Sequence, residues 1–212
     1  PAAPPFYTET FATAPAGWTA SAEGVSPTWS PVNWQFRTAL PDGRTGGYYA
    51  PDPLVGNCVT TDQSGTMTLV APPIEIPASV GSKAMVQLEF THYVATEASF
   101  DGGVVMASIN GAPAVALPAD AWMFNGPPTE LIRSPVSTNP LGGLHAFSGV
   151  NGGSLSGSWA TSTAMLSVSS GDEVVLSWVM STDCGGGVDG WYIDSVSLVA
   201  CAAECGDNVC TR

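Results

Sequence analysis

Glycine and proline are so frequent in this sequence that long helices have little room to form. The 212 residues include 24 glycines and 18 prolines. Proline removes a backbone donor and clashes with the preceding helical turn, and glycine loses the most conformational entropy when a helix orders it. No window of 12 residues carries a helical apolar stripe free of both residue types. We therefore expect an all-β fold.

Short apolar runs between turn residues predict many strands. In segment 85–90, Val86, Leu88 and Phe90 alternate with polar residues, the period of a strand with one buried face. Similar runs predict strands at 67–70, 84–93, 103–109, 114–117, 164–168, 173–180 and 191–199. This pattern favours a jelly-roll β-sandwich of two antiparallel sheets. The long stretches 24–66 and 118–162 are expected to hold further short elements or functional loops.

The charge balance limits the partners of this chain. Five Lys and Arg residues stand against 18 Asp and Glu residues, which gives a net charge of −13. So few cations cannot neutralise a phosphate backbone and release its counterions. The sequence therefore argues against nucleic acid and anionic membrane surfaces as partners. It also lacks a run of about 18 apolar residues, so we expect no membrane insertion.

Five cysteines, at positions 58, 184, 201, 205 and 210, predict disulfides rather than zinc. No histidine lies among them, and a structural zinc site needs four nitrogen or sulfur ligands at close spacing. The low Lys content and high Ser, Thr and Gly content are typical of an exported protein, so we expect an oxidised, secreted and extracellular chain. The odd cysteine count predicts that a further Cys-rich segment is cut off after Cys210.

Two segments of the sequence resemble each other. Each runs from a strand to an acid, then through a loop to an Asp-Gly pair and a second strand. The first contains Glu97 and Asp101, and the second contains Asp183 and Asp189. We expect two long hairpins, whose four acids converge if both turns lie at one end of the sandwich. Asp and Gly also form turns without binding anything, so that explanation stays open.

The order of several short motifs resembles bacterial secreted modules related to MAM domains. These motifs are Glu9-Thr10-Phe11, Gly56-Asn57-Cys58, Asp62-Gln63-Ser64-Gly65, Ser181-Thr182-Asp183-Cys184 and the Gly-Trp-Tyr-Ile-Asp sequence at 190–194. The tail sequence Cys-Gly-Asp-Asn-Val-Cys at 205–210 resembles the opening of the short Cys-rich repeats found in exported proteins of myxobacterium-like organisms.

This resemblance implies a domain organisation and a role. It implies an N-terminal arm at 1–8, a jelly-roll domain at 9–200 and a truncated Cys-rich tail at 201–212. It also implies a non-catalytic accessory or adhesion module of a larger exoprotein, such as a metallopeptidase. Such modules often hold calcium between their first and last strands, and the corresponding acids here are Glu9 and Asp194.

Calcium suits the acidic loops, because it takes about six to eight oxygen ligands from carboxylates, carbonyls and water. An EF-hand pattern is absent, so the ligands must come from separate segments. A Cys58–Cys184 disulfide would tie two acid-bearing loops together, and Cys184–Cys201 is the alternative pairing. The candidate calcium ligands are Glu9, Asp52, Glu97, Asp101, Asp183 and Asp194.

Seven tryptophans raise the question of sugar stacking. Trp178 and Trp191 lie in apolar strands and are predicted in the core. The remaining candidates lie in Pro-, Ser- and Gly-rich surroundings, where exposed rings could stack on sugars, and where capping an edge of the sandwich is the alternative. They are Trp29, Trp34, Trp122 and Trp159.

We expect a non-enzymatic, calcium-stabilised module that recognises a glycan or a cell-surface protein, beside the other domains of its parent exoprotein. A carbohydrate-binding module proper and a subunit of an extracellular assembly are alternatives. A jelly-roll glycan hydrolase is a third, with Glu97 and Asp183 as its two carboxylates. Neither His92 nor His145 lies in a catalytic motif.

Overall fold

The computed structural model describes residues 4–80, 84–150 and 157–201, which form strands and short 3₁₀ helices. The 3₁₀ helices are Pro41–Gly43, Ala78–Val80 and Ala119–Ala121. The strands are β1 (Tyr7–Glu9), β2 (Thr19–Gly24), β3 (Gln35–Arg37), β4 (Gly47–Pro51), β5 (Val55–Gly56), β6 (Gly65–Val70), β7 (Ile74–Glu75), β8 (Ala84–Ala95), β9 (Gly102–Ile109), β10 (Val115–Ala116), β11 (Trp122–Phe124), β12 (Thr129–Glu130), β13 (His145–Ala146), β14 (Trp159–Val168), β15 (Glu173–Thr182), β16 (Gly185–Gly186) and β17 (Gly190–Cys201). Across these ranges, no helix has the length and apolar character needed to span a bilayer.

Most strands belong to two antiparallel sheets that pack face to face. Sheet 1 has the order β11-β14-β8-β17-β4-β3, and β1 also pairs with β17. Sheet 2 has the order β10-β9-β15-β6-β2, and β7 also pairs with β15. Two short two-stranded sheets, β12-β13 and β16-β5, lie in the connections. The predicted all-β, jelly-roll sandwich is confirmed, and the long stretches do hold further short elements.

The core between the sheets is rich in aromatic rings. Val86, Leu88 and Phe90 of β8 are all fully buried, as their alternation predicts. Phe90 meets Trp178 of sheet 2 edge to face, with 5.9 Å between the ring centroids. Trp178 and Trp191 are both buried, which confirms their predicted core positions. Full burial of each such side chain contributes about 1.5 to 3 kcal/mol to stability.

The two similar segments do not form the predicted hairpins. The first runs from β8 in sheet 1 to β9 in sheet 2, and the second runs from β15 in sheet 2 back to β17 in sheet 1. Each strand pairs instead with a strand of the other segment: β8 with β17, and β9 with β15. The hairpin prediction was wrong because the loops are long enough to cross from one sheet to the other. Because the strands of the two segments pair with each other, the two acid-bearing loops nevertheless lie side by side.

A disulfide joins Cys58 to Cys184 across 126 residues of sequence. This confirms the favoured pairing over Cys184–Cys201. Cys58 follows β5 and Cys184 precedes β16, and these two short strands pair with each other. The cysteines at 205 and 210, and the predicted Cys-rich repeat, lie outside the described residues.

Backbone pairing of the sandwich begins close to the predicted start of the domain. Tyr7 of β1 pairs with Leu198 of β17, two residues before the predicted boundary at position 9. At the other end, β17 extends to Cys201. The proposed limits of the arm, the domain and the tail stay predictions.

Candidate metal centre

Three carboxylates from two loops meet at one end of the sandwich. Glu97 and Asp101 lie in the crossover between β8 and β9, and Asp183 directly follows β15. One side-chain oxygen of each lies within 4.8 Å of the others. These loops are neighbours because the two similar segments pair strand by strand. Three of the six predicted calcium ligands therefore have oxygens close enough to share one ion.

Asp52 is a fourth carboxylate at this place, buried directly after β4. Its Oδ2 accepts hydrogen bonds from the backbone N–H groups of Glu97 (2.9 Å) and Val188 (3.2 Å). Its carboxyl group also lies within hydrogen-bonding reach of that of Asp101. Asp101 Oδ1 in turn accepts the backbone N–H of Asp183 at 2.5 Å. The four acids thus connect the β4 loop to both crossovers.

Burial raises the pKa of all four carboxyl groups, and it is the largest cause at each of them. Nearby carboxylate charges raise the pKa values further, while the hydrogen bond with Asp101 lowers that of Asp52. The pKa of Asp101 rises to about 10, through burial first and the charge of Asp52 second. Carboxylates this close disfavour each other's ionised form. Without a cation, the cluster must therefore hold at least one proton at neutral pH.

Two oxygens of the cluster are buried without a hydrogen-bond partner, namely Asp52 Oδ1 and Glu97 Oε2. Asp52 is only 1% exposed. Within the described residues, the ion pairs join Arg44 to Asp194 and Arg133 to Glu130, so neither brings a cation to this cluster. An unpartnered buried carboxylate oxygen is costly in free energy. A bound cation would remove that cost.

The oxygen-only donor set fits a hard divalent cation better than zinc. All donors are carboxylate oxygens, whereas zinc in proteins usually takes nitrogen and sulfur ligands. Calcium binds oxygen at about 2.3 to 2.6 Å, so two of its ligands can lie about 5 Å apart. The spread of 4.8 Å in the cluster falls within that range.

Local backbone geometry holds these acids in place. Gly186 has a φ of +96°, a conformation that side chains disfavour, and a Cβ there would overlap Glu97 Oε2. The Cys58–Cys184 disulfide anchors the residue after Asp183. The buried hydroxyl of Ser137 hydrogen-bonds the Asp183 carboxyl group. Sequence reasoning missed Ser137, because it lies in the long stretch 118–162 and only the fold brings it close.

The structure places Glu9 and Asp194 apart from this cluster. Asp194 pairs with Arg44, and Glu9 Oε1 accepts the backbone N–H of Phe11 at 2.7 Å. Neither belongs to the group of acids whose oxygens lie within 4.8 Å of one another. A calcium ion between the first and last strands stays a prediction that rests on the MAM-like resemblance.

Of the four tryptophans considered for sugar stacking, Trp34 is buried, so its predicted exposure was wrong. Its ring packs against that of Trp191 at a centroid distance of 5.7 Å, and its Nε1 donates to the carbonyl of Met67. That backbone acceptor replaces water as the partner of the indole N–H. Trp29, Trp122 and Trp159 are half-buried.

Several solved structures resemble this chain in fold. The CBM22-1 xylan-binding domain from Paenibacillus barcinonensis Xyn10C has 10% identity and a TM-score of 0.48, with 96% of this chain and 98% of that chain covered. The K1 cleaved adhesin domain of Lys-gingipain from Porphyromonas gingivalis W83 has 14% identity and a TM-score of 0.41, with 93% and 98% covered. The C-terminal CBM6 of LamC from Zobellia galactanivorans has 13% identity and a TM-score of 0.34, with 85% and 99% covered. No family model and no curated protein matches the chain.

Proposed function

We propose that this chain is a non-catalytic binding module of a secreted protein, stabilised by calcium bound at Glu97, Asp101 and Asp183 with Asp52 behind them. The observation that carries the proposal is the convergence of four carboxylates with raised pKa values and two unpartnered buried oxygens. Turn formation alone does not explain such an arrangement. Turn-forming Asp side chains normally accept hydrogen bonds from their own loop and stay hydrated.

The same geometry favours a metal site over a hydrolytic pair. A glycosidase needs a general acid and a second carboxylate on either side of a substrate bond, with room for the sugar between them. Of the two acids that a hydrolase would use here, Glu97 and Asp183, Asp183 is only 5% exposed, so a polysaccharide has no path to its carboxylate. A small cation can enter such a site, because it needs only the oxygens and a few water molecules.

Calcium would join parts of the chain that are distant in sequence. Asp52 follows β4, Glu97 and Asp101 lie between β8 and β9, and Asp183 follows β15. An ion at this point would therefore link loops from both sheets, beside the disulfide at Cys184. A disulfide of this kind fits an oxidising extracellular compartment. Loops fixed in this way lose less conformational entropy when they bind a partner.

Thermal unfolding with and without calcium tests the proposal. The protein is first stripped with EGTA and then measured with about 1 mM Ca²⁺ or Mg²⁺. For a dissociation constant of about 10 µM, calcium stabilises the folded state by about 2.7 kcal/mol. For a chain of this size, that raises the melting temperature by about 5 to 10 °C. Magnesium should have a much smaller effect.

Matched variants locate the ion. Asp183→Asn should abolish most of the calcium-dependent shift, because it removes one charged ligand while keeping the shape of the side chain. Asp120→Asn, at an exposed position on another part of the surface, should keep the full shift. A shift that survives in Asp183→Asn, or no shift in the stripped wild-type protein, would refute the proposed site.

A further inference from the structure

The outer face of sheet 1 carries a row of aromatic residues that the core does not use. Strand pairing sets Tyr49 of β4 opposite Tyr192 of β17, Tyr192 opposite Tyr93 of β8, and Tyr93 opposite Trp159 of β14. Their sequence neighbours Tyr48 and Trp191 point into the core, so these four face outwards. The four strands are adjacent, so the row spans three strand spacings, about 14 Å.

The rings of the row are in contact with one another. Tyr49 and Tyr192 stack at a centroid distance of 4.4 Å, and Tyr192 meets Tyr93 edge to face at 5.5 Å. Tyr93 contacts Trp159 at 5.7 Å. Tyr49, Tyr192 and Trp159 remain partly exposed, while Tyr93 lies beneath them. Aromatic surface that is kept together outside the core commonly marks a binding site.

Polar contacts hold these rings in fixed orientations. The Tyr192 hydroxyl donates to Asp189 Oδ1 at 3.0 Å, and the Tyr49 hydroxyl donates to the Asp189 carbonyl at 2.8 Å. Trp159 Nε1 donates to the carbonyl of Pro41 at 3.1 Å. Rings fixed before binding lose little entropy when a ligand arrives. The row therefore has the preorganisation expected of a recognition surface.

Cationic groups flank the row, although the chain as a whole is strongly acidic. The Arg37 guanidinium lies 5.4 Å from the Tyr49 ring centroid, and that of Arg44 lies 4.7 Å from the Trp159 ring centroid. They are two of the three basic residues in the part of the chain that the structure describes, the third being Arg133. Guanidinium groups present several N–H donors, which suit the hydroxyl and carboxylate oxygens of sugars.

We propose that this row is a glycan-binding platform, on which the pyranose rings of a polysaccharide lie across the strands of sheet 1. The C–H groups of a sugar ring would pack on the ring surface that neighbouring rings and the two guanidinium groups leave exposed, and its hydroxyl groups would meet the polar groups at the rim. The length of about 14 Å gives room for more than one sugar ring. This proposal assigns polysaccharides as the ligand class of the binding module.

The platform is connected to the carboxylate cluster through Asp189. The backbone carbonyl of Asp189 accepts both the Tyr49 hydroxyl and the backbone N–H of Asp52, each at 2.8 Å. Asp52 is the buried acid behind the proposed calcium site. This part of the inference rests on the proposed function: calcium would fix Asp52 and, through Asp189, the orientation of Tyr49. We therefore expect glycan affinity to fall several-fold in EGTA.

The test is isothermal titration of the full chain with hexaoses. One arm uses neutral hexaoses cut from xylan, β-glucan and mannan, and the other uses hexaoses cut from polygalacturonate. Binding in either arm supports the platform, and the stronger arm shows whether Arg37 selects carboxylated sugars, since Arg44 is already paired with Asp194. Tyr192→Ala and Trp159→Ala should each weaken binding at least tenfold. Tyr192→Phe should keep most of it, because the ring remains.

Phe124→Ala is the matched control, since Phe124 is an exposed aromatic residue outside the row. It should leave the affinity unchanged. Each variant is also melted with and without calcium, and a retained calcium shift shows that the fold is intact. Failure of the wild-type protein to bind any hexaose, or equal binding by Tyr192→Ala and Trp159→Ala, would overturn the platform while leaving the calcium site standing. Glycan binding without a calcium shift would overturn the metal site alone.

Discussion

The buried network around His92 and the carboxylate cluster both contain buried polar groups, but these groups are satisfied in opposite ways. In the core, Trp191 Nε1 donates to His92 Nδ1 at 3.0 Å, and His92 Nε2 lies 2.8 Å from the Ser162 hydroxyl. That hydroxyl donates to the carbonyl of Asn125 at 2.6 Å. Each donor meets an acceptor, and no group carries a charge. The cluster instead gathers four acids and leaves Asp52 Oδ1 and Glu97 Oε2 unpartnered.

This difference separates a structural role from a binding role. The chain from Trp191 to Asn125 is complete within the protein and requires nothing from solvent. Burial accordingly lowers the pKa of His92 to about 3, so the imidazole stays neutral. The acids are incomplete within the protein, and a cation would complete them. Converging carboxylates whose buried oxygens lack partners therefore point to a cation more clearly than buried polarity alone.

Breaking the core chain should have the largest effect. Trp191→Phe keeps an aromatic ring but leaves a cavity and deprives His92 Nδ1 of its donor. We expect a loss of about 3 to 4 kcal/mol in the free energy of unfolding. Urea unfolding should give the same loss in EGTA and in calcium, because the site is complete without the ion. A loss that depends on calcium would contradict the separation between the two regions.

Neutralising one acid should have opposite effects in the two conditions. In EGTA, Asp101→Asn removes the cost of keeping this carboxyl group protonated in the folded state, so the variant should be more stable than the wild-type protein. In calcium at about one hundred times the dissociation constant, it should lose most of the approximately 2.7 kcal/mol that the ion contributes. Urea unfolding under both conditions measures this, with Asp120→Asn as the exposed control. A variant that is destabilised in EGTA would argue that Asp101 serves the fold directly.

The two regions should also respond to pH with opposite signs. His92 has a folded-state pKa below its ordinary value, so the unfolded chain binds its proton first and stability falls as pH drops from about 6.5 towards 3. Asp101 has a raised pKa, so the folded state keeps its proton longer, and stability in EGTA falls as pH rises from about 4 towards 10. Each slope is at most about 1.4 kcal/mol per pH unit.

Measuring the free energy of unfolding from pH 5 to pH 9 separates these slopes. Calcium displaces the proton from the acids, so it should flatten the curve above pH 7. The decline below pH 6.5 should remain in calcium, because His92 lies in the core. If the free energy of unfolding declined equally steeply above pH 7 with and without calcium, the groups that titrate there would lie outside the cluster.

Much of the fold could be predicted from the sequence, because strand alternation is a local property. Val86, Leu88 and Phe90 identify the buried face of β8 without any knowledge of its neighbours. The internal similarity also brought Glu97, Asp101 and Asp183 into consideration together. It could not show that the two segments cross between sheets, since local pattern does not specify which strand pairs with which.

The features that were missed depend on contacts between distant residues. Ser137 reaches Asp183 only in the folded chain. Tyr49, Tyr93 and Tyr192 lie on three separate strands, and only the sheet order and register align them. Trp34 looked exposed because its flanking residues are polar, yet a backbone carbonyl and a neighbouring ring allow its burial. Sequence neighbours are a poor guide where the burial of a side chain depends on distant strands.

The smallest expected effect comes from Asp194, and it decides between two positions for calcium. Asp194 pairs with Arg44, whose side chain is 44% exposed, so Asp194→Asn should cost less than about 1 kcal/mol. The calcium-dependent rise in melting temperature should stay intact, and likewise in Glu9→Gln. If either variant lost that rise while Asp183→Asn kept it, the ion would bind between the first and last strands, as the MAM-like resemblance implies. The unpartnered buried oxygens of Asp52 and Glu97 would then need another explanation.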